Sequence, residues 1–233
     1  MTDPGAGTQI RAEHDPAVLT QLHASLIVPS FPPEERGSAE ELVATVRQGR
    51  FTVLVARPGV PGHGRTAADE PSPHPATGLA VIETWPEVPG AALLAWLAVR
   101  RDTRSRGIGR ALLQRTLRHA AGRLLLAEIE PASTPARNAD YGDPAARAAF
   151  YARHGARVVD LPYWQPPVRP EAPPVRLDLI VIPPPGSTVP EQLAAEPTRS
   201  VLEAYAIPHL PTDLAEPLRQ ACAAPTLRTR PLR

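Results

Sequence analysis

The sequence predicts an α+β fold over residues 8–183, with elements in the order βααβββαβαββ. Two observations predict it. Short runs rich in Val, Leu, Ile and Ala recur between turn formers, as strands do. Among them lie stretches whose apolar residues return at helical spacing behind a capping residue. Residues 8–13 are the first strand candidate. Asp15-Pro16 then reads as an N-cap and a first helical residue, with Val18, Leu19, Leu22 and Leu26 on one face. This helix ends before the proline-rich stretch 29–33. Ser38-Ala39-Glu40-Glu41 is a capping-box pattern that leads Leu42, Val43 and Val46 toward Gly49, so a second helix follows.

Residues 51–56 are the next strand. Residues 57–76 hold five prolines and three glycines, a composition that cannot pack as a regular element and reads as a mobile hairpin insert. Strands are expected at 77–83 and 91–99, then a helix over 108–121 whose apolar ridge uses 108, 112, 113, 117 and 121. Residues 124–129 are a further strand. After a Pro/Ala/Asn loop, Asp143-Pro144 caps a helix that runs to His154 and stops at Gly155. The last two strands are expected at 156–161 and 175–182, separated by a proline-rich connection that contains Tyr163-Trp164-Gln165. Helical patterns at 189–206 and 213–223 are interrupted by Pro197 and Pro217. The expected organisation is one domain over 1–185 and a C-terminal appendage over 186–233, helical or partly disordered. That tail would pack on the core, serve oligomer contacts as in a homodimer, or remain partly disordered.

A chain of 233 residues with 42% hydrophobic content can bury one sizeable core. All 25 Lys+Arg residues are Arg, a bias of the kind GC-rich coding produces. The net charge of +1 argues against a general polyanion binder. Cys222 is the only cysteine, which excludes an intrachain disulfide and a cysteine-built zinc site, and no metal is expected. The N-terminal residues lack an apolar signal region, and the longest apolar run, 91–99, is too short for a bilayer. A cytoplasmic protein without a membrane partner is the expectation.

The chain is organised around residues 93–113, where an apolar strand passes into an arginine-rich, glycine-punctuated turn that opens a helix. Exposed amides at a helix N-terminus present donors and a positive dipole end to phosphate oxygens. Gly107 and Gly109 let backbone approach such a ligand where a Cβ would intrude. The stretch Val-Arg-Arg-Asp-Thr-Arg-Ser-Arg-Gly-Ile-Gly-Arg-Ala-Leu-Leu over 99–113 resembles the acetyl-CoA signature of the GCN5-related N-acetyltransferase (GNAT) superfamily. Arg104, Gly107 and Gly109 match its Arg/Gln-x-x-Gly-x-Gly/Ala core.

That resemblance implies a mixed, mostly antiparallel sheet splayed in its middle, with helices on both faces. It implies acetyl-CoA as cosubstrate, its pantetheine arm on the backbone of Leu97, Ala98 and Val99. Its pyrophosphate would lie on Arg104, Ser105, Arg106, Gly107, Ile108, Gly109 and Arg110. Any one of these arginine side chains can equally be a solvated charge. A second motif, 143–156, resembles the superfamily's helix that ends in Tyr and, four residues later, Gly. The chain departs from the commoner pattern with Asp143-Pro144 in place of an initial Asn and with Ala156 after the Gly. Tyr151 matches the tyrosine that can protonate the departing thiolate, although Phe150-Tyr151 also reads as core aromatics.

Amine acetylation needs a group that accepts the ammonium proton. The two-residue strand repeat puts Glu128 and Glu130 on the face of Leu124 and Leu126. Glu128 also matches a glutamate used as base in related N-terminal acetyltransferases and is the first choice; Glu83, ending a hairpin strand, is the second. Each can instead be a solvent-facing or ion-paired carboxylate. Phe31, Glu34, Glu35 and Tyr163-Trp164-Gln165 would line the acceptor pocket, and acidic groups there favour a cationic amine. His154 reads as a helix C-terminal residue.

The expected activity is transfer of an acetyl group from acetyl-CoA to a primary amine of a small molecule or peptide by direct attack in a ternary complex. The alternative is a non-catalytic acyl-CoA-binding module. Nucleic-acid association through the eight arginines of 100–123 is disfavoured by the near-neutral whole and by the lack of interleaved aromatics.

Overall fold

In the computed structural model, residues 7–59, 75–135 and 141–232 are described. Strand β1 (Thr8–Glu13) is followed by α1 (Pro16–Leu22), whose Asp15 side chain accepts from the amides of Ala17 and Val18. The helix continues as a π turn over His23–Ile27. Helix α2 (Ala39–Arg47) starts on the complete Ser38/Glu41 capping box. Strands β2 (Phe51–Pro58), β3 (Gly78–Glu83) and β4 (Ala91–Val99) lead to α3 (Ile108–His119). Then come β5 (Leu124–Ile129), α4 (Pro144–Ala152) and β6 (Arg157–Val159). Most of the insert expected over 57–76 lies outside the described residues, and Arg57 and Pro58 belong to β2.

The single strand expected over 175–182 is two. Strand β7 (Trp164–Gln165) pairs with β8 (Val175–Arg176) in a small sheet, and β9 (Asp178–Ile182) belongs to the main one. The break at Leu177 is held by the Arg176 guanidinium, which donates to the carbonyls of Tyr163 and Leu177. The tail folds as β10 (Gln192–Ala194), α5 (Ala195–Tyr205), α6 (Thr212–Cys222) and β11 (Thr226–Pro231). Strand β11 pairs with β6, so the tail packs on the core and completes a nine-stranded sheet of order β1-β2-β3-β4-β5-β9-β6-β11-β10. The boundary expected at 185 therefore falls within one continuous sheet. Pro197 sits in the first turn of α5, where amides have no intrahelical acceptor, and Pro217 is carried inside α6 by the packing of Ala215, Leu218 and Cys222.

Neighbouring strands are antiparallel except β4 and β5, which are parallel and pair only from Ala91↔Leu124 to Leu94↔Ala127. One face of the sheet carries α3 and α4 on residues such as Leu54, Ile82, Leu94 and Ala127. The other face is covered in two parts. Helices α1 and α2 bury Val53, Val81 and Trp96, and the tail helices bury Leu93, Leu126 and Val181. A bulge in β4 decides where the sheet opens. Val81 pairs with Trp96 but Ile82 with Leu94, so Ala95 is the extra residue. The shift keeps Leu93, Trp96 and Ala98 on one face, and pairing with β5 stops there. No helix among the described residues is long and apolar enough to cross a membrane.

Candidate active site

Beyond the bulge, β4 has a free edge toward β5, and a cavity of about 480 Å³ runs along it. Leu97, Ala98 and Val99 line its strand side; Arg104, Ser105, Gly107, Ile108, Gly109 and Arg110 line its loop side. Nine of the ten residues expected to hold the acyl donor thus meet at one cavity, whereas Arg106 is exposed and does not line it. The loop owes its shape to two left-handed residues, Gly107 at φ 79° and the non-glycine Ser105 at φ 64°. Gly107 caps α3 without a side-chain acceptor, so the first amides of the helix face outward with the positive dipole end behind them. Arg104 spans the turn by donating its Nε to the Val99 carbonyl at 3.2 Å. Burial, then Arg101 and Arg147, lower its proton affinity.

Helix α4 supplies the opposite wall with a stripe that sequence reasoning missed. Ala146, Arg147, Phe150, Arg153 and His154 face the cavity, and the spacing 146, 147, 150, 153, 154 is the signal that could have found them. Arg147 is fixed by Glu130 at 2.7 Å and by the Tyr141 carbonyl at 2.9 Å. The glutamate is placed just past the end of β5 and binds α4, which separates it from Glu128. Tyr151 lies on the adjacent, buried stripe of α4 with Pro144 and Ala148, edge-on to Phe150. It does not line the cavity. Burial, partly offset by Arg147, raises its phenol far above the ordinary value, so it keeps its proton through the neutral range.

A second cavity, of about 360 Å³, opens on the other face of the sheet beside Ala95 and Trp96. Four carboxylates line it: Glu83 from β3, Glu128 from β5, Glu35 from the 3₁₀ turn before α2, and Glu41 of the α2 capping box. The sheet explains the first two. Glu83 is opposite Leu93 and Leu93 is opposite Leu126, so Glu83, Leu93 and Leu126 share a face with Glu128, two residues farther on. Glu83 is buried and ion-paired with Arg50. Burial pushes its carboxyl up to about 7, with Arg50 opposing the rise.

Tyr163 donates to Glu128 Oε1, while Tyr205 at 3.4 Å and Gln165 at 3.5 Å donate to its Oε2. Burial pushes Glu128 up to about 7; the Tyr163 hydrogen bond opposes it, Glu83 and Glu35 add to it, and Tyr205 opposes it. Both tyrosines are raised well above a normal phenol by burial and by this carboxylate, and they stay donors.

Of the residues expected around an acceptor, Glu35 and Gln165 line this second cavity, and Tyr163 lies buried behind Glu128. Phe31 lines the first cavity, and Glu34 and Trp164 line a separate groove of about 790 Å³. The tail contributes two residues that the sequence did not reveal, Tyr205 and His209. Gln165 is 6% exposed, and its Oε1 has no hydrogen-bond partner among the described residues, so the cavity offers an acceptor awaiting a donor. Glu128 can take a proton near neutrality, and the two cavities meet successive residues of β4. Among the described residues no His/Cys/Asp/Glu group could hold a metal ion.

The family model described as Acetyltransferase (GNAT) domain matches residues 66–155. Among solved structures, a GNAT-family protein from Bacteroides thetaiotaomicron is 20% identical over 84% of this chain and 98% of its own, with a TM-score of 0.57. A GNAT family acetyltransferase from Elizabethkingia anophelis, solved with acetyl-CoA bound, is 13% identical over 76% of this chain and 97% of its own, with a TM-score of 0.46. Arabidopsis thaliana NAA60, solved with a bisubstrate analogue, is 20% identical over 77% of this chain and 99% of its own, with a TM-score of 0.47. No curated protein is significantly similar in sequence. The mixed sheet flanked by helices is the GNAT acyl-CoA N-acyltransferase fold, and residues 66–155 match the GNAT acetyltransferase domain.

Proposed function

We propose that the protein transfers an acetyl group from acetyl-CoA to a primary amine of a small molecule or peptide by direct attack in a ternary complex. The observation that carries this reading is the position of Glu128. It is the residue that follows Ala127, the last β5 partner of β4, and it lines one cavity while the free edge of β4 lines the other. The donor cavity fits an acyl-CoA. Outward amides of Ile108, Gly109 and Arg110, with Arg104 and Arg153, suit a diphosphate, and the edge of β4 over Leu97, Ala98 and Val99 that β5 leaves open suits an amide-bearing arm.

When bound, acetyl-CoA supplies the activated thioester. The chain's own residues do the rest. Glu128 accepts the proton of the incoming ammonium, for which a carboxyl near 7 is well matched at neutral pH. Glu83 and Glu35 make the cavity favourable for a cation, and Gln165 Oε1 accepts one of its N–H groups. Tyr151 retains its proton and is the proposed donor to the leaving sulfur, which its buried hydroxyl, outside the cavity lining, reaches only once Phe150 gives way. Glu83 is the second candidate for the base, although Arg50 occupies it.

Isothermal titration with acetyl-CoA followed by thiol release over a panel of amines tests the reading. Binding with amine-dependent release supports it. Binding without release from any amine replaces it with an acyl-CoA-binding module, and absence of binding removes both.

A further inference from the structure

The C-terminal segment reaches the acceptor cavity by a rigid route. Strand β11 pairs with β6 from Thr229↔Val159 to Pro231↔Arg157, and the Ala195 amide donates to the Pro225 carbonyl at 3.0 Å, which fixes the start of α5. Ala195, Thr198, Val201 and Leu202 form the buried stripe of that helix, and Tyr205 is the next residue at the same spacing. Its ring packs on Trp85 at 6.0 Å, and Trp85 carries the Arg50 guanidinium at 5.9 Å on its ring. Its hydroxyl meets Glu128 Oε2, while Tyr163 holds Oε1.

We propose that the C-terminal segment completes the acceptor site, with Tyr205 as a positioning residue that holds the Glu128 carboxylate beside the cavity through its hydroxyl. This rests on the reading of Glu128 as the base. The other groups around that carboxylate are Tyr163 and Gln165 from the connection before β8, Glu83 from β3 and Glu35 from the turn before α2. Arg50, Glu41 and His209 line the same cavity. Among these, only the hydroxyls of Tyr163 and Tyr205 and the Gln165 amide donate to Glu128. Removing the Tyr205 donor while keeping its ring should raise the proton affinity of Glu128, because a lost hydrogen bond to the charged form favours the neutral one.

The test follows side-chain carboxyl carbons in glutamate-labelled protein by NMR across the neutral range, with Glu128→Gln assigning the signal. In Tyr205→Phe the Glu128 midpoint should rise by on the order of half a pH unit, a modest shift because the contact is long. The acid limb of kcat/KM should move with it, at unchanged acetyl-CoA affinity. In the unsubstituted chain the Tyr205 ring carbon should titrate with the Glu128 midpoint and lose that titration in Glu128→Gln, a readout independent of how the Phe variant folds. An unmoved midpoint in Tyr205→Phe, or a Tyr205 ring signal indifferent to Glu128, overturns the proposal. If the NMR coupling is present but no amine releases CoA, the contact stands and the acetyltransferase reading falls.

Discussion

Glu83 and Glu128 lie on one face of the sheet, on the two strands that flank β4, the first bound by Arg50 and the second by two tyrosine hydroxyls. Both carboxyls rise to about 7, Glu83 through burial against the opposing Arg50 and Glu128 through burial with the Glu83 and Glu35 charges adding to it. A base in this state is competent above neutrality, so kcat/KM should show an acid limb near the Glu128 value. Glu128→Gln should lower kcat by on the order of 10²-fold and flatten the limb. Glu83→Gln removes a like charge and should move the limb to lower pH, provided Glu128 is the base. A limb abolished by Glu83→Gln and kept in Glu128→Gln would exchange the roles.

The same pair makes a stability prediction. Both groups bind a proton more tightly folded than unfolded, where the carboxyl value is 4.5. The folded state gains from them while they are protonated, and that gain disappears as pH rises from the unfolded value through about 7. Glu128→Gln should therefore melt at a higher temperature than the parent above neutrality, by an amount that shrinks on acidification. Calorimetry on both sides of neutrality checks it; a variant less stable than the parent above neutrality would mean that the Tyr163 and Tyr205 hydrogen bonds outweigh the burial cost.

Tyr151 keeps its proton in the neutral range and lies buried, edge-on to Phe150, which lines the proposed donor cavity. Tyr151→Phe preserves the packing and removes the hydroxyl. It should lower kcat by on the order of 10²-fold with little change in acetyl-CoA affinity. Unchanged turnover would leave Tyr151 as a core aromatic.

At the cradle, Arg104 lines the cavity and Arg106 does not. Arg104→Ala should weaken acetyl-CoA binding by titration, whereas Arg106→Ala should leave it unchanged. Gly107→Ala places a Cβ at φ 79° and should cost about 1 kcal/mol of stability in addition to weakening the donor site.

The turn proposed to hold the donor was legible because it is local. Gly107, Gly109 and the strand before them occupy a few consecutive residues, and caps such as Asp15, Ser38 and Asp143 mark their helices directly. The acceptor half depends on long-range geometry. Nothing in the apolar run 91–99 marks Ala95 as the bulge, yet that extra residue ends the pairing of β4 with β5 and opens the sheet at Glu128. The Tyr205 contact with Glu128 spans 77 residues. Pro197 read as an interruption, but a first helical turn has no amide bond to lose there. Glu130 departed from its face because the strand stops at Ile129.

Cys222 offers a direct test of whether the tail unfolds with the rest of the chain. Its side chain is buried in α6 against the cluster that contains Leu93, Leu126 and Leu227, and burial pushes its thiol up to about 11. Thiolate is the reactive form, so the native protein should resist thiol reagents. If the tail shares the core's cooperativity, labelling of Cys222 in rising denaturant should follow the same midpoint as far-ultraviolet circular dichroism. Leu227→Ala, which removes a buried side chain from β11, should cost about 2–5 kcal/mol and move both midpoints together. Labelling that precedes the loss of circular dichroism would instead make residues 186–233 a separately opening unit. The acceptor wall that carries Tyr205 would then open without unfolding the donor site.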